Sequence, residues 1–135
     1  MNNHIKIPKI FFEVQYNSSR IPNIKDQSDL TLGANCQVFA FELLKVNGIT
    51  APNFRSSELY SDTIYTEKVE IFKPLDLMLY NNNNNSFGAH VGVYIGNEKI
   101  IHLSLENGYA QIIEHQEMIK NRKYNIFIGA KRVLK

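Results

Sequence analysis

Residues 33–49 read Gly33-Ala34-Asn35-Cys36-Gln37-Val38-Phe39-Ala40-Phe41-Glu42-Leu43-Leu44-Lys45-Val46-Asn47-Gly48-Ile49, and they describe a helix with both ends marked. Phe39, Leu43 and Val46, together with Ala40 and Leu44, recur at three- and four-residue spacing, which predicts a helix over 37–46 with a broad apolar stripe for packing on a sheet. Asn35 stands where a side-chain oxygen would cap the first turn. Asn47-Gly48 supplies a left-handed stop, with Ile49 free to fold back on the last turn. The cap makes Cys36 the first helical residue, among unpaired backbone N–H groups and at the positive end of the helix dipole. Both features favour a thiolate, so the expectation is a thiol pKa below the unperturbed value of about 8.5.

Outward from that helix the two halves differ. Upstream, residues 17–35 carry Pro22, serines and several Asn and Asp, and read as a long connection into the helix; loops of that length are often functional. A shorter helix is expected near Ser56-Ser57-Glu58, where serine caps meet an acidic first turn. Downstream, four runs rich in β-branched and aromatic residues, 76–80, 89–95, 100–105 and 124–133, are separated by Asn and Gly turns and predict an antiparallel sheet. A helix followed by strands argues for an α+β domain, one unit over residues 1–135. Asn81 to Asn85 reads as a flexible spacer between two strands.

The composition narrows the function classes. With 44% hydrophobic residues, 8 Phe and 7 Tyr, the 135 residues can build a core, and the net charge of +2 is scattered without a basic block, so nucleic-acid binding has no support. No run of eighteen apolar residues appears, and Lys6, Pro8, Lys9 and Glu13 interrupt the start, so neither a membrane span nor a signal peptide is expected and the chain reads as cytoplasmic as encoded, with non-classical secretion as the other route. One cysteine cannot form an internal disulfide.

Cys36 can be an inert buried thiol or a nucleophile. Two histidines bear on the choice. His90 opens His90-Val91-Gly92-Val93-Tyr94-Ile95, in which Val91, Val93 and Ile95 share one face and His90, Gly92 and Tyr94 the other. A glycine inside a strand calls for a close neighbour, and a helix bearing the nucleophile over Gly92 would be one. His102 interrupts an apolar strand between Ile101 and Leu103. The histidines share a face only if Gly92 lies opposite His102, which demands an odd-length connection or a bulge at Gly96-Asn97. His4 and His115 fit no pattern and read as solvated. A zinc site from Cys36, His90 and His102 lacks the paired spacing typical of zinc motifs, so neither metal nor cofactor is expected.

The helix segment, then Phe72-Lys73-Pro74-Leu75-Asp76-Leu77-Met78-Leu79-Tyr80, then Ala89 through His102, in that order, resembles the NlpC-type family of bacterial cell-wall cysteine peptidases. The likeness spans about residues 33–133 and ends in Ile128-Gly129-Ala130-Lys131-Arg132-Val133. It implies a papain-like fold with Cys36 as nucleophile, His90 as general base and His102 as the polar third member, acting on peptide bonds involving D-amino acids in peptidoglycan stems, with a peptide or muropeptide as partner. Tyr16 is the candidate for the tyrosine with which that family lines its oxyanion site, with Gln37 beside the nucleophile; Arg55, Ser56, Ser57 and Asp62 are candidates for a substrate-side wall. Two departures stand out: Asn35-Cys36-Gln37-Val38 where the family has Asp-Cys-Ser-Gly, and Leu75 where it has glycine. An acyltransferase or amidase acting on a cytoplasmic peptide, or an inactive peptide-binding domain, are the alternatives.

Overall fold

The computed structural model describes residues 5–134. Three helices, α1 (Cys36–Val46), α2 (Ser56–Ser61) and α3 (His115–Met118), accompany six strands: β1 (Thr66–Val69), β2 (Leu77–Asn81), β3 (His90–Gly96), β4 (Lys99–Leu103), β5 (Ala110–Glu114) and β6 (Ile126–Val133). The strands form one antiparallel sheet in the order β1-β6-β2-β3-β4-β5. This is the α+β arrangement expected, with the cysteine-bearing helix packed on the sheet.

α1 is capped as its sequence reads. The Asn35 side chain accepts from the Val38 N–H at 2.8 Å, and at the other end the Gly48 and Ile49 amides donate to Lys45 and Leu44 carbonyls. Its burial differs from the expected stripe, because every residue from Cys36 to Leu44 is buried, Gln37 and Glu42 included. The long 17–35 connection wraps its outer side and is organised from within by Arg20, which is itself buried. The Arg20 guanidinium donates to the carbonyls of Gly33, Lys25 and Asp26, and the Arg20 carbonyl accepts from the Asn35 amide at 2.9 Å. One buried cation therefore fixes the approach to the helix cap by satisfying loop carbonyls that would otherwise be orphaned.

The sheet has two different faces. Leu77, Leu79, Val91, Val93, Ile101 and Leu103 pack with Val38, Phe39 and Leu43 of α1. On the opposite face Met78, Tyr80, Tyr94 and Ile100 pack with Met118, Phe72, Tyr124 and Phe127. The helix thus covers the Val91–Val93 face and not the face of Gly92, which corrects the sequence expectation. What crowds Gly92 is its own hairpin: a Cβ there would lie 3.3 Å from Ile100 Cδ1 and 3.4 Å from His102 Cβ. The hairpin pairs Val93 with Ile101 and Tyr94 with Ile100, then shifts register before Gly96 pairs with Lys99. Asn97 and Glu98 form the turn with φ of 54° and 64°. A tight two-residue turn and a bulge together give the even register that puts His90 and His102 on one face.

Two anchors join distant parts of the sheet. Asp76, almost fully buried, accepts from Arg132 Nε and Nη2, both at 2.8 Å, in the paired geometry that suits a guanidinium. Just before it Leu75 adopts φ of 80°, so the backbone keeps the left-handed turn for which the resembled family uses glycine. α2 starts one residue earlier than a Ser56 cap would place it. Arg55 is its N-cap, and the Glu58 carboxylate accepts from the Arg55 amide at 2.8 Å.

Candidate active site

The site is assembled where the N-terminus of α1 meets the start of β3. Cys36 is buried, and the backbone N–H groups of Val91, Gln37 and Cys36 itself face its sulfur. Val91 follows His90 directly, so the helix end meets the start of β3, although the body of the helix lies on the other face. His90 is partly exposed, and its Nε2 lies 2.9 Å from His102 Nδ1, with the two rings edge to face. The structure therefore brings His90 and His102 into direct contact and leaves Nδ1 as the unshared nitrogen of His90.

Electrostatics here run against the thiolate expectation. Burial pushes the Cys36 thiol up, and the three backbone amides and the nearby Arg55 cation offset only part of that. Burial, and then the neighbouring His102, holds His90 well below the usual imidazole value. His102 is pushed down to about 4, again by burial, with the Glu106 carboxylate opposing. Desolvation of a charge in a closed site outweighs the helix-terminal stabilisation, which is worth about 1 kcal/mol near a surface. Burial therefore favours the neutral thiol at Cys36 and the neutral imidazole at His90.

Around the sulfur runs a cavity of about 280 Å³. Tyr16 lines it, held by a parallel bridge to Ala34 and by its amide's bond to the Gly108 carbonyl. Burial and the nearby Cys36 both raise the Tyr16 phenol, which keeps it a hydrogen-bond donor. Gln37 also lines the cavity, but its side-chain carbonyl is committed to Arg55 Nε at 3.0 Å and Asn35 Nδ2 at 3.5 Å. Arg55, Ser56 and Ser57 line it too, as do Phe87 and Gly88. Asp62 does not join them; its carboxylate caps the Tyr65 and Thr66 amides.

Two residues escaped the sequence reading. Tyr124, expected inside the last strand, precedes β6 and stacks on the His90 ring at 4.5 Å between centroids and 25° between planes. The only signal available was an aromatic within the polar run Asn121-Arg122-Lys123-Tyr124-Asn125. His115, read as solvated, is instead buried: its Nδ1 meets the Tyr80 hydroxyl at 2.8 Å, and Phe72 and Phe127 pack on its ring. Burial of an aromatic-sized ring with one satisfied nitrogen explains that placement. His4 lies outside the described residues. Among the described residues no three His, Cys, Asp or Glu side chains converge as a metal-binding set, and no helix is long and apolar enough to cross a membrane.

Solved structures of similar fold include NlpC/P60 proteins. One is an NlpC/P60 family protein from Bacillus cereus, 26% identical, matching 76% of this chain and 32% of its own with a TM-score of 0.56. Another, from Staphylococcus aureus, is described as similar to lipoprotein, of the NLP/P60 family; it is 16% identical and matches 93% of this chain and 39% of its own with a TM-score of 0.61. The protein thus has the NlpC/P60 fold, a peptidase-family fold, and it spans about a third of the length of these two structures. No family model and no curated protein sequence matches the chain.

Proposed function

We propose that this protein is a cysteine hydrolase that cleaves an amide bond in a peptide of the peptidoglycan-stem type, with Cys36 as nucleophile, His90 as general base and His102 as the residue that orients it. The carrying observation is that the helix-terminal sulfur abuts the Val91 amide, one residue from a histidine whose far nitrogen is already bonded to His102. A base must be neutral to accept a proton, and burial keeps His90 so.

In the proposed reaction the Cys36 proton passes to His90 Nδ1 as sulfur attacks the carbonyl carbon. The developing oxyanion takes hydrogen bonds from the Cys36 amide and the Tyr16 hydroxyl. His90 returns the proton to the leaving amine as the C–N bond breaks, leaving a thioester. Water, deprotonated by His90, then attacks the thioester and releases the acid and the free thiol. No cofactor enters the scheme.

The walls of the cavity support a substrate with an anion near the scissile amide. Arg55 places a cation beside Cys36 with, among the described residues, no carboxylate partner within ion-pair distance, and the exposed Phe87 ring offers an apolar surface in the same cavity. A γ-linked D-glutamyl unit carries a free α-carboxylate next to its amide and fits that pairing. The test is digestion of defined muropeptides and γ-D-glutamyl peptides with products read by mass spectrometry. Cleavage by the native protein, lost in Cys36→Ala and weakened when the α-carboxylate is amidated, is expected. Equal cleavage by Cys36→Ala would remove the proposal, and transfer of the acyl group to an added amine would make the enzyme an acyltransferase.

A further inference from the structure

His102 has a second nitrogen with nowhere to go. The residue is 4% exposed, and its Nε2 is alone among the buried side-chain nitrogen and oxygen atoms of the described residues in having no hydrogen-bond partner. A buried polar atom left unpaired costs about 1–3 kcal/mol, so such atoms are matched by water or by a ligand. Beside it lies a cavity of about 160 Å³, lined among others by His102, Ser104, Glu106, Gln111, Asn121 and Tyr124. One water occupies about 30 Å³ of liquid, so this volume holds several, and its polar lining supplies the partners they need.

The proton count in the histidine pair says what that nitrogen must be. For His90 to accept the Cys36 proton at Nδ1, its own proton sits on Nε2 and is donated to His102 Nδ1. His102 then carries its proton on Nε2, as a donor aimed into the cavity. A donor there requires an acceptor. Two carboxylates line the space. Glu117 is engaged by Lys120 at 2.9 Å, whereas Glu106 gives one oxygen to Asn121 Nδ2 at 3.3 Å and keeps its remaining lone pairs. The other ionisable groups facing the pair are Tyr124, stacked on His90, and Cys36 beyond it.

We propose that water in this cavity carries a hydrogen bond from His102 Nε2–H to the Glu106 carboxylate, making Glu106 a positioning residue that fixes the tautomer of both histidines. The upward pull of Glu106 on the proton affinity of His102 is consistent with that link. The inference rests on the proposed role of His90, since it is that role which sets the tautomer.

Long-range proton–nitrogen correlation spectra of the ¹⁵N-labelled full chain at neutral pH read each ring's tautomer without any turnover. The expected native spectrum has both rings protonated at Nε2. Glu106→Ala should shift the His102 tautomer ratio by about fivefold to tenfold, the worth of one hydrogen bond. Glu106→Gln, which keeps an acceptor oxygen, should hold the native tautomer, and Glu117→Ala should leave it unchanged. A His102 proton on Nδ1 in the native chain, or identical spectra for native and Glu106→Ala, would overturn the proposal. A chain that cleaves no peptide but shows the Glu106-dependent tautomer would keep this link and remove the hydrolase reading.

Discussion

Two histidine clusters sit side by side on one face of the sheet, since Tyr80 of one lies directly across the ladder from His90 of the other. In the first, His115 is closed in by Tyr80, Phe72 and Phe127, and the Tyr80 hydroxyl satisfies its Nδ1. In the second, His90 and His102 spend their shared bond on each other, and His102 Nε2 is left without a partner beside an open cavity. His102 and His115 are both buried and both clusters are aromatic-rich, so burial alone does not distinguish a structural histidine from a reactive one. The difference is what the rings border: His115 is packed among Tyr80, Phe72 and Phe127, whereas His102 leaves a buried, unpartnered nitrogen beside a polar cavity. An imidazole enclosed by aromatic rings stabilises, whereas one beside a cavity can pass a proton.

The largest effect that separates the clusters is on rate. His90→Ala should lower kcat/KM for amide cleavage by about 10³-fold, the usual worth of a general base, and cost about 1–3 kcal/mol of stability by leaving His102 Nδ1 without its partner. His115→Ala should cost about 2–3 kcal/mol of stability and leave the rate within about threefold. Steady-state kinetics and denaturant titration on the two variants check this. A His115→Ala chain that keeps its stability and loses turnover would break the distinction.

Next is a pH effect on folding. A histidine whose native pKa is depressed takes its proton in the unfolded chain first, so stability is full above about pH 6.5 and is lost as pH falls toward 4. For His102, lowered from 6.5 to about 4, that amounts to about 3 kcal/mol. His102→Asn should flatten the slope of unfolding free energy between pH 6.5 and 4; an unchanged slope would mean that His102 titrates normally.

Smaller is Tyr80→Phe, which leaves His115 Nδ1 buried without its partner and should cost about 1–2 kcal/mol by thermal or chemical unfolding, with turnover unaffected. Smallest is the stack over His90. Tyr124→Ala should cut kcat/KM by about threefold to tenfold, in line with about 0.5–1.5 kcal/mol for an aromatic pair, and Tyr124→Phe should retain most of the rate. Equal losses for Phe and Ala would assign the effect to the hydroxyl beside Ser104 instead.

The parts legible in the sequence were those written by local chemistry. The Asn35 cap, the Asn47-Gly48 stop and the need for an irregular β3–β4 corner each follow from a few adjacent residues. β1 and β5 escaped, and they are the two edges of the sheet. An edge strand pairs on one side only, so it can be short and charged, as Thr66-Glu67-Lys68-Val69 is, without an apolar alternation to announce it. The side of the sheet on which α1 lies was misread because Gly92 has two crowding neighbours in principle, a helix or its own hairpin, and strand periodicity does not choose between them. Tyr124 reaches His90 only through the path of the β5–β6 connection, a long-range fact that no local pattern records. The raised thiol reflects a balance between a helix-end stabilisation, which sequence shows, and full burial, which it does not.

The corner at Gly96-Asn97-Glu98 also governs which changes of length this chain can absorb. Strand side chains alternate with a period of two, so removing or adding one residue there would exchange the faces of all of β4 relative to β3. His102 would turn inward against Val38 and Leu43, and Ile101 would be presented to the cavity. The Asn81–Asn85 connection carries no such phase, since it closes on itself through bonds such as Asn81 Nδ2 to the Asn85 carbonyl and Asn83 Oδ1 from the Asn85 amide. Copies of this gene are therefore free to drift in length at the asparagine run, while the hairpin corner is held to its count by the chemistry on the strand beyond it.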